Sequence, residues 1–481
     1  GRHLRLWAMD FPPLIALLAR TGDTLLGDSI VAVRLVPAIT HLLLIVCAGI
    51  AARQFGGGRF AQALAALAVA AAPLFQRAGN LYQPVILDQL WWTLALLALA
   101  KIGQSWENDG GAGDPVAWIA LGVAAGLGLL TKFSIGFLAV GMFVALIISR
   151  HRRVLLTRWP WEALLLGLII GSPSIVGQIN LGFPVAAQMQ TLQSTQLEHV
   201  GYLDFLAGQL LMLGPIILLV ILGVLRLLVF PGARAFRVVA WSCLATFLLL
   251  MVLHGKPYYI GPIYPVLIGA GAAALELWTG AMAGRTAGRV TGNVVRGVVV
   301  ALVLIFGVLT LPMGLPILAP PTMARYSTAL GITEAVTTND GKQLRIPQDY
   351  ADMLGWPEQA RAVASVFRTL PPEKQKQAVL MGANYGETGA LELYGRRLRL
   401  PRAVSPAGSY WFFGPGTRPG AVLLTVGIDS ADLAGYYRVV RPVARVRNPW
   451  GVPEERDVPV VIAEQPLRTL QQQWPSLKGR N

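Results

Sequence analysis

Carboxylates and cations set among apolar residues are the parts of a site that handles charge away from water. Asp88, in QPVILDQLWWTLALL, falls about one helical turn into an apolar run. It reads either as a helix-start carboxylate near the positive dipole end or as an acid lining a polar cavity. HGKPYYIGPIYP, residues 254–265, sets His254, Lys256, Tyr258 and Tyr259 beside Pro257, Pro262 and Pro265. An interfacial belt explains Tyr with Lys. It does not explain three prolines, which interrupt or bend a helix start. The backbone groups they free are tolerated in a membrane only against protein or a water-filled cavity, so this turn is suited to an anion. Asp10, in MDFPP, is a turn or N-cap aspartate, or a site carboxylate held by a rigid turn. Arg77, in FQRAGNLYQP, is a snorkelling interfacial Arg or a cation of the same site. Lys132, in LLTKFS, caps helix ends or faces a cavity.

The elements that position these residues are membrane spans. The chain has 481 residues, 54% hydrophobic and only 14% charged, with mean hydropathy +0.55; soluble domains carry about 25% charged residues. Ten apolar runs near 29–52, 59–76, 84–103, 115–131, 133–149, 160–177, 205–230, 236–254, 259–279 and 297–318 approach or exceed the roughly 17 residues a crossing needs. One set of alternate loops holds Arg53, Arg59, Lys101, Arg150, Arg152, Arg153, Arg158, Arg226, Arg234, Arg237, Arg285, Arg289 and Arg296. The other set holds Arg77, Lys132 and Lys256. The first set therefore faces the cytoplasm. Ten crossings put both chain ends outside, and with them Asp10, Arg77, Asp88, Lys132 and Lys256. The net charge of +15 follows from those loops and does not call for nucleic acid.

Three regions result: an outer-face segment 1–28 with an amphipathic helix lying along the membrane, a transmembrane domain 29–318, and an α/β domain 319–481. In the last, PEQARAVASVFRTL, ETGALELYG and SADLAGYY read as helices, and QAVLMGA, AVLLTVG and DVPVVIAEQ as strands. GANYGETGALELYG follows a strand and opens a helix but lacks the G-x-G-x-x-G spacing, so no nucleotide site is assigned. Asn384, Glu387 and Tyr410 either contact acceptor or sugar, or serve as turn and packing residues. Five scattered His show no metal-ligand spacing, and Cys47 and Cys243 read as core residues.

The stretches MDFPPLIALLAR, FGGGRFAQALAAL, LDQLWWTLAL, GLGLLTKFSIGF, RRVLLTRWPW, HGKPYYIGPIYP, LPPEKQKQAVLMGANYGETGALELYG and YWFFGPG, in that order, resemble bacterial glycosyltransferase family 39. That group has the C-type fold and includes protein O-mannosyltransferases and the lipid A aminoarabinose transferase. The resemblance covers nearly the whole chain. It implies an inverting transferase of the bacterial inner membrane that takes its sugar from a polyprenyl phosphate and passes it to an acceptor lipid, glycan or protein. The domain at 319–481 would be periplasmic. The resemblance gives Asp10 and Asp88 as site carboxylates, and Lys256 as the donor-phosphate contact in a K-P-x-Y motif. His254, Tyr258, Tyr259, Arg77 and Lys132 would stand around it. It requires no cofactor and leaves room for a divalent cation near the lipid phosphate. Family members carry an Asp-Glu pair upstream of the point where this chain begins, so the chain is expected to be N-terminally truncated and inactive as given. The rival reading is a lipid or anion transporter; it needs a midplane site open to both sides, whereas these residues gather at one face.

Overall fold

The computed structural model describes all residues except 28, 110–112, 199, 283–285, 332–341 and 479–481; Arg285 lies outside the described residues. The chain divides into two compact units, Gly1–Ile317 and Leu318–Asn481.

The first unit is helical. In order it holds α1 (Leu14–Leu26), α2 (Ile30–Gln54), α3 (Arg59–Ala71), α4 (Pro73–Asn80), α5 (Pro84–Asp109), α6 (Pro115–Leu129), α7 (Ile135–Ile148), α8 (Trp159–Asn180), α9 (Pro184–Leu192), α10 (Tyr202–Leu213), α11 (Ile217–Val229), α12 (Arg237–Val252), α13 (Tyr264–Ala281) and α14 (Thr286–Gly314). All ten apolar runs are helical, but they are not ten uninterrupted spans. Seven helices among the described residues are long and apolar enough to cross a membrane. Run 59–76 is two helices bent by 61°. Pro73 supplies no N–H and holds Ala72 extended (φ −70°, ψ 125°), so α3 ends there and α4 starts afresh. Helices α6 and α7, of 15 and 14 residues, reach only about 22 and 21 Å at 1.5 Å per residue, short of a hydrocarbon core of about 30 Å. The stretch after α8 is not a plain loop, because α9 and a π-helical turn, Gln193–Leu197, fill it.

Glycines set the closest helix contacts. A Cβ on Gly271 of α13 would stand 1.8 Å from the Leu219 carbonyl of α11, and one on Gly223 would stand 2.1 Å from the Leu267 carbonyl. Small residues that let backbones touch are the usual means of packing helices where lipid removes the hydrophobic drive. The α3 N-terminus is capped from far along the chain: Glu276 of α13 accepts from Gly58 N (2.7 Å) and Ala61 N (2.9 Å).

The second unit adds α15 (Pro320–Ala329), α16 (Gln348–Ala351), α17 (Trp356–Thr369), α18 (Pro372–Gln377), β1 (Ala378–Gly382), α19 (Tyr385–Gly395), β2 (Ala403–Val404), α20 (Gly408–Phe413), β3 (Val422–Val426), α21 (Ser430–Leu433), β4 (Tyr437–Arg447) and β5 (Asp457–Pro466). The sheet order is β2-β1-β3-β5-β4. Strand β1 is parallel to β2 and β3, while β5 runs antiparallel to β3 and β4. Strand β1 is buried on both faces: Ala378 and Leu380 pack under α17 and α19, and Val379 and Met381 join Leu423, Val461 and Trp474 in a second core. Two strands escaped the sequence reading. Strand β2 is two residues long, and β4, YRVVRPVARVR, hides its alternation behind Pro442, a register shift at Pro442/Ala444 and four Arg. Those are also the devices that keep an edge strand from pairing with another molecule.

Candidate functional site

Asp88 stands near the start of α5 and is only 3% exposed. Its Oδ2 accepts from Ser134 Oγ at 2.7 Å. Ser134 ends the short break between α6 and α7, and the same break carries Thr131 and Lys132. Thr131 Oγ1 donates to Leu127 O (2.8 Å) and accepts from Trp91 Nε1 (2.8 Å), which pins the break against α5. Lys132 is the opposite charge acting on Asp88. Its Nζ also lies 4.5 Å from the Tyr259 ring centroid and 5.8 Å from that of Tyr258, and the two rings meet edge to face at 4.8 Å. A cation against aromatic faces gains about 0.5–2 kcal/mol, more as water is excluded.

Tyr258 and Tyr259 lie on a 3₁₀ stretch, Pro257–Ile263, that stands where α13 would otherwise begin. Proline spacing produces it, since Pro262 and Pro265 have no N–H to give to an α-helical ladder. Thr93 Oγ1 lies 3.3 Å from Pro262 O, and Gln209 of α10 donates to Pro257 O (3.2 Å) while accepting from Tyr264 Oη (2.6 Å).

Lys256 and His254 face the segment between α9 and α10. Lys256 Nζ donates to Gln196 Oε1. His254 has φ +53°, a left-handed conformation few non-glycine residues adopt. Its Nδ1 lies 2.7 Å from Val200 O, and its ring stacks on Tyr202 at 5.0 Å. Asp10 lies where the N-terminal segment crosses α8: its carbonyl accepts from Gln178 Nε2 (2.7 Å), and Leu14 N donates to Leu130 O (2.8 Å) next to the Lys132 break. Arg77 is on the last turn of α4, and the link from α4 to α5 is tied to α1 by Tyr82 Oη donating to Ile15 O (2.6 Å).

The structure therefore gathers Asp88, Lys132, Tyr258 and Tyr259 directly and sets Lys256 and His254 on the neighbouring strap. It adds Ser134, Thr131 and Trp91, which sequence reading missed. The signal for Thr131 and Ser134 was the T-K-x-S run between two closely spaced apolar stretches. On the same turns of α5, both amide atoms of Gln89 are buried with no hydrogen-bond partner among the described residues, and Trp92 Nε1 is directed at the Asp88 carboxylate. Each buried orphan costs about 1–3 kcal/mol, so the pair on Gln89 is a substantial local expense for a fold. Among the described residues no group of three or more His, Cys, Asp or Glu is placed to hold a metal ion.

Asn384, Glu387 and Tyr410 belong to the second unit. At the carboxyl ends of β1 and β3 the connection from β1 runs to β2 on one side and that from β3 runs toward β4 on the other, the kind of crevice in which parallel sheets take ligands. Here the protein's own groups fill it. Asn384 Oδ1 accepts from Gly386 N (2.8 Å) and Glu387 N (3.0 Å), and Glu387 Oε2 accepts from Asn384 N (3.1 Å), a capping box for α19. The Glu387 carboxyl presses on Gly427, where an added Cβ would be 1.9 Å from Oε1. Glu455 accepts from Asn384 Nδ2 (3.2 Å) and Gln359 Nε2 (2.6 Å). Tyr410 Oη donates to Glu392 Oε2 (3.2 Å).

Crystal structures of ArnT from Cupriavidus metallidurans share the fold. The one bound to undecaprenyl phosphate is 20% identical, with TM-score 0.58 over 94% of this chain and 88% of that one. The apo form is 20% identical, with TM-score 0.56 over 98% and 89%. Residues 10–176 match the family model for dolichyl-phosphate-mannose-protein mannosyltransferase; that segment holds Asp10, Arg77, Asp88 and Lys132 but not the 254–265 turn. No curated protein sequence matches the chain. The fold is thus shared with the ArnT structures, and the family match lies within residues 10–176.

Proposed function

We propose that the protein transfers a sugar from a polyprenyl-phosphate donor to a hydroxyl acceptor at the outer face of a bacterial inner membrane. The observation that carries this reading is the cluster of buried Asp88 with half-buried Ser134 and Lys132, with Lys132 against Tyr259. The undecaprenyl phosphate in the similar ArnT structure supports the donor class, and the Lys and Arg asymmetry of the loops supports the face. In the reaction, an acceptor oxygen forms a bond to the anomeric carbon from the side opposite the leaving group. The bond from that carbon to the phosphate oxygen breaks, and polyprenyl phosphate leaves with the electron pair, so the sugar is inverted. The acceptor proton passes to a site carboxylate, with Asp88 and Asp10 the assigned acids. Lys132, Lys256 and Arg77, with His254, Tyr258 and Tyr259 as hydrogen-bond donors, neutralise charge on the departing phosphate.

The test is a transfer assay with the protein expressed from its full reading frame, offered a panel of polyprenyl-phosphate sugars, with products identified by mass and anomeric configuration by NMR. Asp88→Asn should lower kcat at least about 100-fold at unchanged membrane abundance. Turnover equal to the parent would remove Asp88 from the chemistry. Movement of intact donor lipid across the bilayer without transfer would replace the enzyme reading with a transporter.

A further inference from the structure

Gln89 follows Asp88 on α5 and is 0% exposed, yet neither Oε1 nor Nε2 of its amide has a hydrogen-bond partner among the described residues. Its Nε2 lies against Gly261, where an added Cβ would come within 3.2 Å, so the amide faces the turn that carries Tyr258 and Tyr259. On the same stretch of helix Trp92 Nε1 is directed at the Asp88 carboxylate. The unpaired group is thus an amide with two donors and two acceptor lone pairs, set beside an indole donor and a carboxylate acceptor. A Leu or Met at position 89 would fill the same space without leaving an orphan. A set that mixes donors and acceptors and adds no cation beyond Lys132 does not suit a second anion. It suits vicinal hydroxyls, each of which both donates and accepts.

We propose that Gln89 is a specificity-determining residue that reads the hydroxyl groups of the transferred sugar, while Lys132 and its neighbours hold the phosphate end of the donor. This rests on the transferase reading above. The Pro257–Ile263 turn covers the amide, so the turn shifts as the sugar seats and the hydroxyls take up the orphaned groups.

The experiment uses wild type, Gln89→Leu and Gln89→Met in lipid nanodiscs. Each is titrated with the sugar-bearing polyprenyl phosphate that wild type uses and with bare polyprenyl phosphate, read by calorimetry and by melting temperature. Both variants should lose roughly 10–100-fold in affinity for the sugar-bearing lipid, because a site built for a hydroxyl discriminates through its unpaired groups. Affinity for bare polyprenyl phosphate should change less than about twofold, and the unliganded melting temperature should stay level or rise, since an orphan has been removed. A donor lacking the hydroxyl that Gln89 reads should be discriminated by wild type and not by the variants. Parallel loss for both lipids, or no loss for either, overturns the role. A lower unliganded melting temperature with both affinities intact overturns it in favour of an internal water held by the amide. Wild type binding neither lipid overturns the transferase reading itself and this role with it.

Discussion

Glu387 is 2% exposed and sits between its own helix cap and a second acid. Burial first, then the charge of Glu455, push its carboxyl up from its ordinary 4.5 to about 8, and N–H groups of Asn384 and Ala383 pull only partly back. The sign follows from proton counts. Between pH 4.5 and 8 the unfolded chain loses a proton that the folded chain keeps, so stability falls as pH rises through that window and levels off above it. The full effect is on the order of 5 kcal/mol. Glu387→Gln, a neutral side chain of the same shape, should flatten this slope. Hydrogen exchange of the 383–395 backbone in the whole protein, corrected for intrinsic rates, should match wild type at pH 5 and show stronger protection than wild type at pH 8. Equal protection at both pH values would mean that Glu387 is ionised in the fold. The loop's phosphate-site look was legible in GANYGETG, but its occupant was not: the sequence does not say that the anion position at this helix start is filled by the third residue of the helix itself. Lys256 and Lys132 teach the reverse. Lys256 stood out because three prolines surround it, whereas Lys132 meets Asp88 through a packing of α5 against the α6–α7 break that no local pattern encodes.

At the scale of elements, the apolar runs were legible because hydrophobicity is a local property, and each run became helix. Their lengths were less legible. The break at Pro73 was visible as a proline, but its 61° bend depends on what α3 and α4 pack against. Glycine positions carry a sharper element-scale prediction, because α13 has two of opposite character. Gly271 faces the Leu219 carbonyl with no room for a methyl, while Gly280 has nothing among the described residues within 4 Å of an added Cβ. Gly271→Ala should force α11 and α13 apart and cost about 1–3 kcal/mol, as overpacked contacts do. Gly280→Ala should be neutral or stabilise by up to about 1 kcal/mol through helix propensity. Melting of the two purified variants in the same detergent measures the contrast, and equal melting temperatures would show that α11 and α13 do not touch at these glycines.

For the whole molecule, the number of crossings decides on which side each end lies, and counting by helix length leaves that number open. The seven long helices alone would put the two chain ends on opposite sides, whereas ten crossings put them on the same side. Ten crossings are the expected number. Helices α6 and α7 are short, but they meet at the break that holds Lys132 and Ser134 beside Asp88, so as a pair they bring that break to the depth of the α5 start. The basic residues of Arg150–Arg158 follow α7 and are absent from the α6–α7 break apart from Lys132, as expected if α7 returns to the cytoplasmic face. The chain's two cysteines, Cys47 and Cys243, are both buried, so single introduced cysteines report topology with little background. Thr24, Arg152 and Ser365 are exposed. In intact cells with a permeabilised outer membrane, a membrane-impermeant maleimide should label Thr24→Cys and Ser365→Cys and should reach Arg152→Cys only after the inner membrane is opened. Labelling of Thr24→Cys and Ser365→Cys on opposite sides would mean an odd number of crossings. It would then move either the Asp10 segment or the α/β unit away from the face on which the proposed donor phosphate is presented.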